Sequence, residues 1–337
     1  MTFLFVVQGE HTMKKLITLL MILLIATGCA KASTNDSATT KIAVLQLMDH
    51  EALNNTYQGF VDALKDNGLV EGENLSIEFQ NPNNDKSALA TMAQVIVNNE
   101  PDLILAIGTA SAQSIQQETT SIPVLGSAIT DYVDVGLVES VEKPGKNISG
   151  ASDYCDMAIQ MDLIETIVPD VKTVGLLYTS SEENSIIQAN IMKEECAKRG
   201  WNVLEKTISD LTMVDDTMHS LVGKVDALYI PTDNPLASSM ASVEIVASEN
   251  KLPVIVGCDT MVADGGLASI GVNYYNLGYE TGLQAISVLN GKVNISELPI
   301  YYMDGAKADV YYNSHVAKKA GIEIPQSLID NGIDMAK

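Results

Sequence analysis

From residue 41 onward the chain alternates short, continuous apolar runs with longer stretches whose apolar residues recur at helical spacing. KIAVLQL (41–47) predicts a strand, 55–67 an amphipathic helix, and NLSIEFQ (74–80) a second strand. A helix over 87–99, the strand DLILAIG (102–108), a helix over 110–118 and the strand IPVLGSA (122–128) complete a first set. After Gly150 the same order returns. TVGLLY (173–178) and NVLEKTI (202–208) read as strands around a helix over 184–199. A helix over 213–222, the strand DALYI (226–230), a helix over 236–250 and the strand LPVIVG (252–257) follow. Apolar runs alternating with helices of this length indicate parallel β/α units.

The two sets correspond in detail. DLILAIGTASAQSIQQETTSIPVLGSA parallels DALYIPTDNPLASSMASVEIVASENKLPVIVGCD in its strand, polar turn, helix and proline-led strand. The pattern predicts an α/β protein of two similar doubly wound parallel-sheet lobes, with a cleft between them and about three crossovers. One lobe is expected from 41–150 plus about 275–297, the other from 151–274 plus about 298–337.

Ligands of open parallel sheets bind beyond the carboxyl ends of the strands. In the first lobe those ends carry Met48, Asp49 and His50, then Thr109, Ala110 and Ser111, then Thr130, Asp131 and Tyr132. In the second they carry residues 179–185, including Glu182, Asn184 and Ser185, then Thr232, Asp233 and Asn234, then Cys258 and Asp259. Turns are polar in any protein, because Ser, Thr, Asp and Asn cap helices and close turns. Six polar strand ends facing one cleft are better explained by a shared small-molecule site.

Ahead of the lobes lies a different pattern. Met13-Lys14-Lys15 leads into an apolar stretch over 16–26, closed by Ala26-Thr27-Gly28-Cys29. Two charges, a short apolar core and small residues before the break describe a secretory signal peptide. The core is shorter than the roughly 20 residues that span a bilayer. The cysteine after Ala-Thr-Gly resembles a bacterial lipobox, in which Cys29 would be lipidated and become the anchored N-terminus. The native start is read at Met13, since Gln8-Gly9-Glu10 can be encoded by a ribosome-binding sequence. Residues 30–40 (AKASTNDSATT) then form a small, polar tether, reaching roughly 18 Å as a random coil. The expected location is outside the cytoplasm, on the cell membrane.

Charge and cysteine content narrow the partners. A net charge of −23 repels nucleic acid and anionic headgroups, so no nucleic-acid partner is expected. The single arginine, Arg199, leaves little bidentate recognition of carboxylate or phosphate. Cys155, Cys196 and Cys258 stand without C-x-x-C spacing and permit at most one disulfide. His50, His219 and His315 lack i,i+4 partners, so no metal site and no cofactor is expected. G-x-S-x-G, the phosphate-binding loop and a strand-following G-x-G-x-x-G are absent. Cys258 reads as a buried structural cysteine rather than a nucleophile, with His50 its nearest candidate base. No enzymatic activity is expected.

A set of segments in fixed order adds a resemblance. HEALNNTYQGFVDALKDNGLVEGENL (50–75), GTASAQ (108–113), TDYVDVGLVES (130–140), NISGASD (147–153), LLYTSSEENS (176–185), YIPTDN (229–234) and GVNYYNLGYETG (271–282) carry it. Over 41 to about 325, the chain resembles the ABC-transporter substrate-binding lipoproteins of the tryptophan/tyrosine-binding type. It departs from their pattern at Asp131-Tyr132, where Asp-Pro is common, and at Cys258. The resemblance implies a receptor that closes on an amino acid, most readily Trp, Tyr or Phe, and presents it to an ABC permease. A zwitterion's carboxylate then falls to hydroxyls and backbone N–H groups at helix N-termini, here Thr109, Ala110 and Ser111 opposite Asn184 and Ser185. Its ammonium falls to Asp233, Glu182 or Asp131, with the first two favoured by the motif. Tyr57, Tyr132, Tyr154, Tyr274 and Tyr275 are candidates for an aromatic wall. The alternative role for the same lobes is sensing, with the ligand presented to a membrane receptor kinase.

Overall fold

The computed structural model describes residues 39–302 and 308–336. The expected signal peptide, the lipid-bearing Cys29 and residues 30–38 of the tether lie outside the described residues.

Thirteen strands are described: β1 (Thr40–Gln46), β2 (Leu75–Gln80), β3 (Leu103–Ile107), β4 (Val124–Ile129), β5 (Ile148–Ser152), β6 (Thr173–Thr179), β7 (Asn202–Ile208), β8 (Ala227–Ile230), β9 (Val254–Val256), β10 (Ala268–Gly271), β11 (Tyr301–Tyr302), β12 (Asp309–Tyr312) and β13 (Ile333–Asp334). The helices between them are α1 (Glu51–Asp66), α2 (Lys86–Asn98), α3 (Thr109–Glu118), α4 (Met157–Ile167), α5 (Glu183–Arg199), α6 (Val214–Leu221), α7 (Asn234–Ala237), α8 (Met240–Glu249), α9 (Asp259–Ala263), α10 (Tyr274–Leu289), α11 (Ser314–Ala320) and α12 (Gln326–Asn331).

One sheet runs β11-β5-β4-β3-β1-β2 and the other β13-β12-β10-β9-β8-β6-β7. Within them β2-β1-β3-β4-β5 and β7-β6-β8-β9-β10 share one order, so the duplication seen in sequence is a duplication of topology. Strands β3, β4 and β9 are buried at every residue. Helices on both faces leave such parallel strands no exposed side, which is why they read as unbroken apolar runs. The chain passes between sheets after β5, after β10 and between Tyr302 and Asp309. The last passage was expected near 298, but Tyr301 and Tyr302 pair with Ala151 and Ser152 and so still belong to the first sheet.

Two helix boundaries also differ from the sequence reading. α1 begins at Glu51, so its N-terminal turn takes in Glu51, Ala52, Leu53 and Asn54. The stretch 236–250 is two helices, because Asp233 caps a single turn that ends before Ser239.

α10 crosses back to the first lobe and lies against α1. The approach is close enough that a Cβ on Gly278 would fall 1.9 Å from the Thr56 carbonyl oxygen, and one on Gly59 2.0 Å from that of Tyr275. Glycine at both points lets the backbones touch, which fixes where α10 begins and therefore where Tyr274 sits. In an open helix Gly→Ala stabilises by about 1 kcal/mol. At Gly278 we expect the opposite sign, a loss of about 2–3 kcal/mol from overpacking, read as a lower urea midpoint in equilibrium unfolding.

Candidate functional site

The carboxyl ends of both sheets meet across the cleft. Each set of strands has its switch point there, between β1 and β3 and between β6 and β8, where neighbouring connections leave on opposite faces. His50, Asn184, Thr232, Asp233, Asn234 and Cys258, all expected from sequence, line one cavity at this place. Ala52, Leu53 and Ala128 of the first lobe and Ala237 and Met261 of the second give it an apolar wall. Its free volume is about 10 Å³, roughly the room of one water. A separate, wider space of about 440 Å³ lies between Met48, Asp49, Asn83 and Asn84 on one side and Thr179, Ser181, Asp210 and Pro235 on the other.

Hydrogen bonds hold the lobes together around the cavity. His50 Nε2 lies 3.1 Å from Asn234 Oδ1. Gln188 Nε2 donates to Thr130 Oγ1 at 3.1 Å and also to Thr232 Oγ1. Gln113 Nε2 donates to Glu183 Oε2 at 2.6 Å. Gln188 carries no strand-end position and was not expected at the site. It sits one turn beyond Asn184 and Ser185 on α5, and helical spacing is the only signal that pointed to it.

Asp233 is fully buried, and its carboxylate is saturated by its own lobe. Oδ2 accepts from Thr179 N at 2.7 Å and Ser185 Oγ at 2.9 Å; Oδ1 accepts from Thr179 Oγ1 at 2.8 Å and Leu236 N at 3.0 Å. These bonds tie β6, α5 and α7 together. Burial pushes the acid's pKa up and the four donors pull it back. Geometry therefore gives Asp233 a scaffolding part, in contrast to the ammonium-binding part read from sequence, and Ser185 is spent on it too.

Glu182 is reached through Asn234, whose Nδ2 donates to Glu182 Oε2 at 2.6 Å. Burial, with the Asp233 charge nearby, pushes Glu182 up to about 7. Asn184 Nδ2 donates to the Thr232 carbonyl at 2.8 Å. Desolvation pushes His50 down, so its ring is neutral at pH 7.

Three other expectations are placed elsewhere. Asp131 Oδ1 accepts from the backbone N–H groups of Val133 and Asp134, both at 2.9 Å, and closes a local turn. Tyr132 is fully buried in the first core, its hydroxyl donating to the Ala151 carbonyl at 3.1 Å. The cause is a register shift in β4 between Gly126 and Ile129, where Ala128 takes φ 56°. The bulge turns Ala128 to the cavity and sends the following tyrosine inward. Asp259 accepts from Thr260 N at 2.8 Å, and burial pushes it up to about 6. Of the five candidate tyrosines, only Tyr274 lines the cavity. Tyr57 packs on Phe79, Tyr154 faces Tyr302 edge-on, and Tyr275 donates to Asp62.

Thr109, Ala110 and Ser111 open α3 and are not among the residues that line the cavity. Gly108 precedes them and offers no side-chain cap. α1, α5 and α9 likewise start at the cleft without a side-chain cap, whereas α2, α4, α10 and α11 are capped by Asp85, Asp156, Asn273 and Asn313. Ser111 Oγ is buried without a hydrogen-bond partner among the described residues. Uncapped N-termini leave N–H groups for an anion.

Asp153 closes the NISGASD segment but was not expected at the site. It follows β5, lines the cavity, and accepts from the Tyr274 hydroxyl at 2.7 Å through Oδ2, while Oδ1 has no partner among the described residues. Its strand, ISGAS, shows no apolar run. A Cβ on Gly150 would lie 1.9 Å from the Gly126 carbonyl oxygen, so close pairing selects small residues there, and the pattern hides the strand end.

Comparison with known proteins agrees with this architecture. The profile of the family described as ABC transporter substrate binding protein matches residues 41–334. The "Tyrosine-binding protein" of Clostridioides difficile (strain R20291) is 41% identical over 271 residues, 80% of this chain and 78% of that protein. Among solved structures, an ABC domain in complex with L-Trp from Streptococcus pneumoniae superposes with TM-score 0.83 at 33% identity, over 88% of this chain and 99% of that one. The ligand-free, open structure of a substrate-binding protein with adhesive properties from Clostridium difficile gives 0.69 at 41% identity, over 88% and 100%. The more similar sequence thus superposes less well, and the lobes here are arranged more nearly as in the L-Trp complex.

Two consequences are measurable. Replacing Asp233 by Ala strands four donors, two of them backbone, and is expected to cost about 3 kcal/mol or more of stability in urea unfolding. Glu182 binds its proton more tightly folded than unfolded, so between its usual 4.5 and about 7 the native state holds more protons. Its contribution to stability is present below that window and is lost as pH rises through about 7. Unfolding free energy should fall by on the order of 3 kcal/mol from about pH 5 to pH 8 on its account, and Glu182→Gln should flatten that part of the profile.

Proposed function

Since the chain belongs to the ABC transporter substrate-binding proteins, a family of binding proteins rather than enzymes, we propose that it captures an aromatic amino acid between its lobes and hands it to a membrane permease. It works outside the cytoplasm, held to the membrane by lipid on Cys29. The observation that carries this reading is the cavity itself, walled by both lobes and bridged by His50–Asn234 and by Thr130 with Gln188 and Thr232. A ligand seated there touches both lobes and is enclosed when they meet.

The chemistry suits a zwitterion with an apolar side chain. Leu53, Ala128, Met261 and the Tyr274 ring supply an apolar surface of the kind a flat ring needs. Arg199 is committed elsewhere, donating to Asp162 Oδ1 at 2.5 Å and Glu195 Oε2 at 2.9 Å. The ligand carboxylate is therefore left to the uncapped start of α3, with the unpartnered Ser111 hydroxyl beside it. A free volume of one water cannot hold an aromatic amino acid, so uptake requires the lobes to part and to settle with the cleft wider. The tyrosine named for the relative and the L-Trp of the solved complex support the ligand class.

Cys258 is buried, and desolvation pushes its thiol up to about 12. Its small side chain belongs to the wall.

The test is a thermal-shift panel of all twenty amino acids on protein stripped of ligand by unfolding and refolding. Ligand at a hundred times its dissociation constant stabilises by about 2.7 kcal/mol, a rise of roughly 5 °C at this size. A response confined to Trp, Tyr or Phe is expected. Silence from these three overturns the ligand class.

A further inference from the structure

The cavity wall contains the carboxylates of Asp153 and Asp233, with Glu182 one hydrogen bond behind, and among the described residues no lysine or arginine. Asp233 has all its lone pairs engaged. Glu182 faces the amide of Asn234. Asp153 differs from both. It is 6% exposed, Oδ2 takes the Tyr274 hydroxyl, and Oδ1 meets no donor among the described residues. The groups acting on it are the hydroxyls of Tyr274 and Thr130 and its own backbone N–H, none of them a cation, and Thr130 does not meet Oδ1 in hydrogen-bond geometry.

A buried carboxylate oxygen without a donor forfeits its hydration and gains nothing in return. Such a group is stable in its ionised form only when a cation or a strong donor completes it. Its position restricts what that partner can be. Asp153 belongs to the cavity wall, so a donor for Oδ1 can arrive with whatever enters the cavity. Neutral His50 does not provide the charge.

We propose that Asp153 is the receptor for the ligand's ammonium group, which completes Oδ1 in the closed cleft; this rests on the amino-acid reading above. The position also carries a mechanical consequence. Asp153 begins the first passage between lobes and Tyr274 ends the second, so the 2.7 Å bond between them joins two hinge strands. An ammonium on Oδ1 sits against both. Ligands that lack the amino group leave the carboxylate unmatched as the cleft shuts, and selection for amines follows from closure itself.

The experiment is calorimetric titration of wild type and Asp153→Asn with tyrosine, tryptophan and phenylalanine, each beside its des-amino acid. Wild type should lose roughly 100-fold in affinity when the amino group is removed, as expected for breaking a buried charge pair. Asp153→Asn should bind the amino acid weakly and discriminate by less than about 5-fold. Discrimination retained in the variant overturns the assignment and leaves Asp153 a structural acid. So does a wild type that binds both members of a pair equally, an outcome that needs no variant to fold. Tyr274→Phe, which keeps Asp153, should retain the 100-fold preference; its loss there alone would assign the preference to the tyrosine. A wild type that answers none of the three aromatic amino acids overturns the functional reading instead. Asp153 is then judged by the same comparison on whichever other amino acid binds, and its assignment falls if none does.

Discussion

The structure depends on how acidic groups are compensated where the two lobes exclude water. Asp153, Asp233 and Glu182 are each less than a tenth exposed, and among the described residues no cation lines the cavity they share or flank. Asp233 and Glu182 meet the cost of desolvation within the protein, each differently. Asp233 collects four donors from its own lobe and becomes the knot that holds the ends of β6 and β8 and the start of α5. Glu182 shifts toward its neutral form near pH 7 and takes the amide of Asn234. That bond orients Asn234 so that its oxygen faces His50, which in turn requires the proton on His50 Nε2. The geometry of the first lobe's latch is thus set by an acid in the second.

The fold was legible because burial on both faces makes parallel strands continuous apolar words. β1, β3, β4, β6, β8 and β9 could each be read, and their ends located the cleft at once. β5 could not, since its close approach to β4 admits only ISGAS, without the apolar run that marks a strand. α10 was visible only as a motif, because the glycines that let it touch α1 weaken the helical pattern. The strand whose end carries Asp153 and the helix that carries Tyr274 were hidden for the same reason. Close backbone packing selects small residues, and small residues are quiet in a hydrophobicity pattern.

Within the site, residue type and strand-end position were legible, and satisfaction was not. Thr130-Asp131-Tyr132 follow β4 in sequence and look equivalent, yet the bulge at Ala128 gives one to the lobe interface, one to a turn and one to the core. Asp233 and Asp153 both follow strands and look equally free. Their difference is set by donors far along the chain: Thr179 is 54 residues from Asp233, and Tyr274 is 121 residues from Asp153. No local rule reports which carboxylate oxygen remains unpartnered after such pairings.

The cross-lobe bonds also explain why closure can respond to a ligand. They are few and join mainly neutral groups, each contributing about 1 kcal/mol net against water. Opposing them are the loss of hydration around Asp153 and Glu182 and the ordering of side chains such as Gln113 and Gln188 at the seam. Terms of similar size and opposite sign leave a small balance, so neither arrangement is strongly preferred by the chain alone. A ligand shifts such an equilibrium only by what it binds differently in the two arrangements. Contacts confined to one lobe, such as those at the start of α3, hold the ligand without moving the balance. Contacts that exist only when Leu53 and His50 face Met261 and Asn234 do move it. The division follows from the duplicated topology: two sheets presenting the same ends to one cleft let one lobe hold a small molecule while the other decides whether the cleft stays shut.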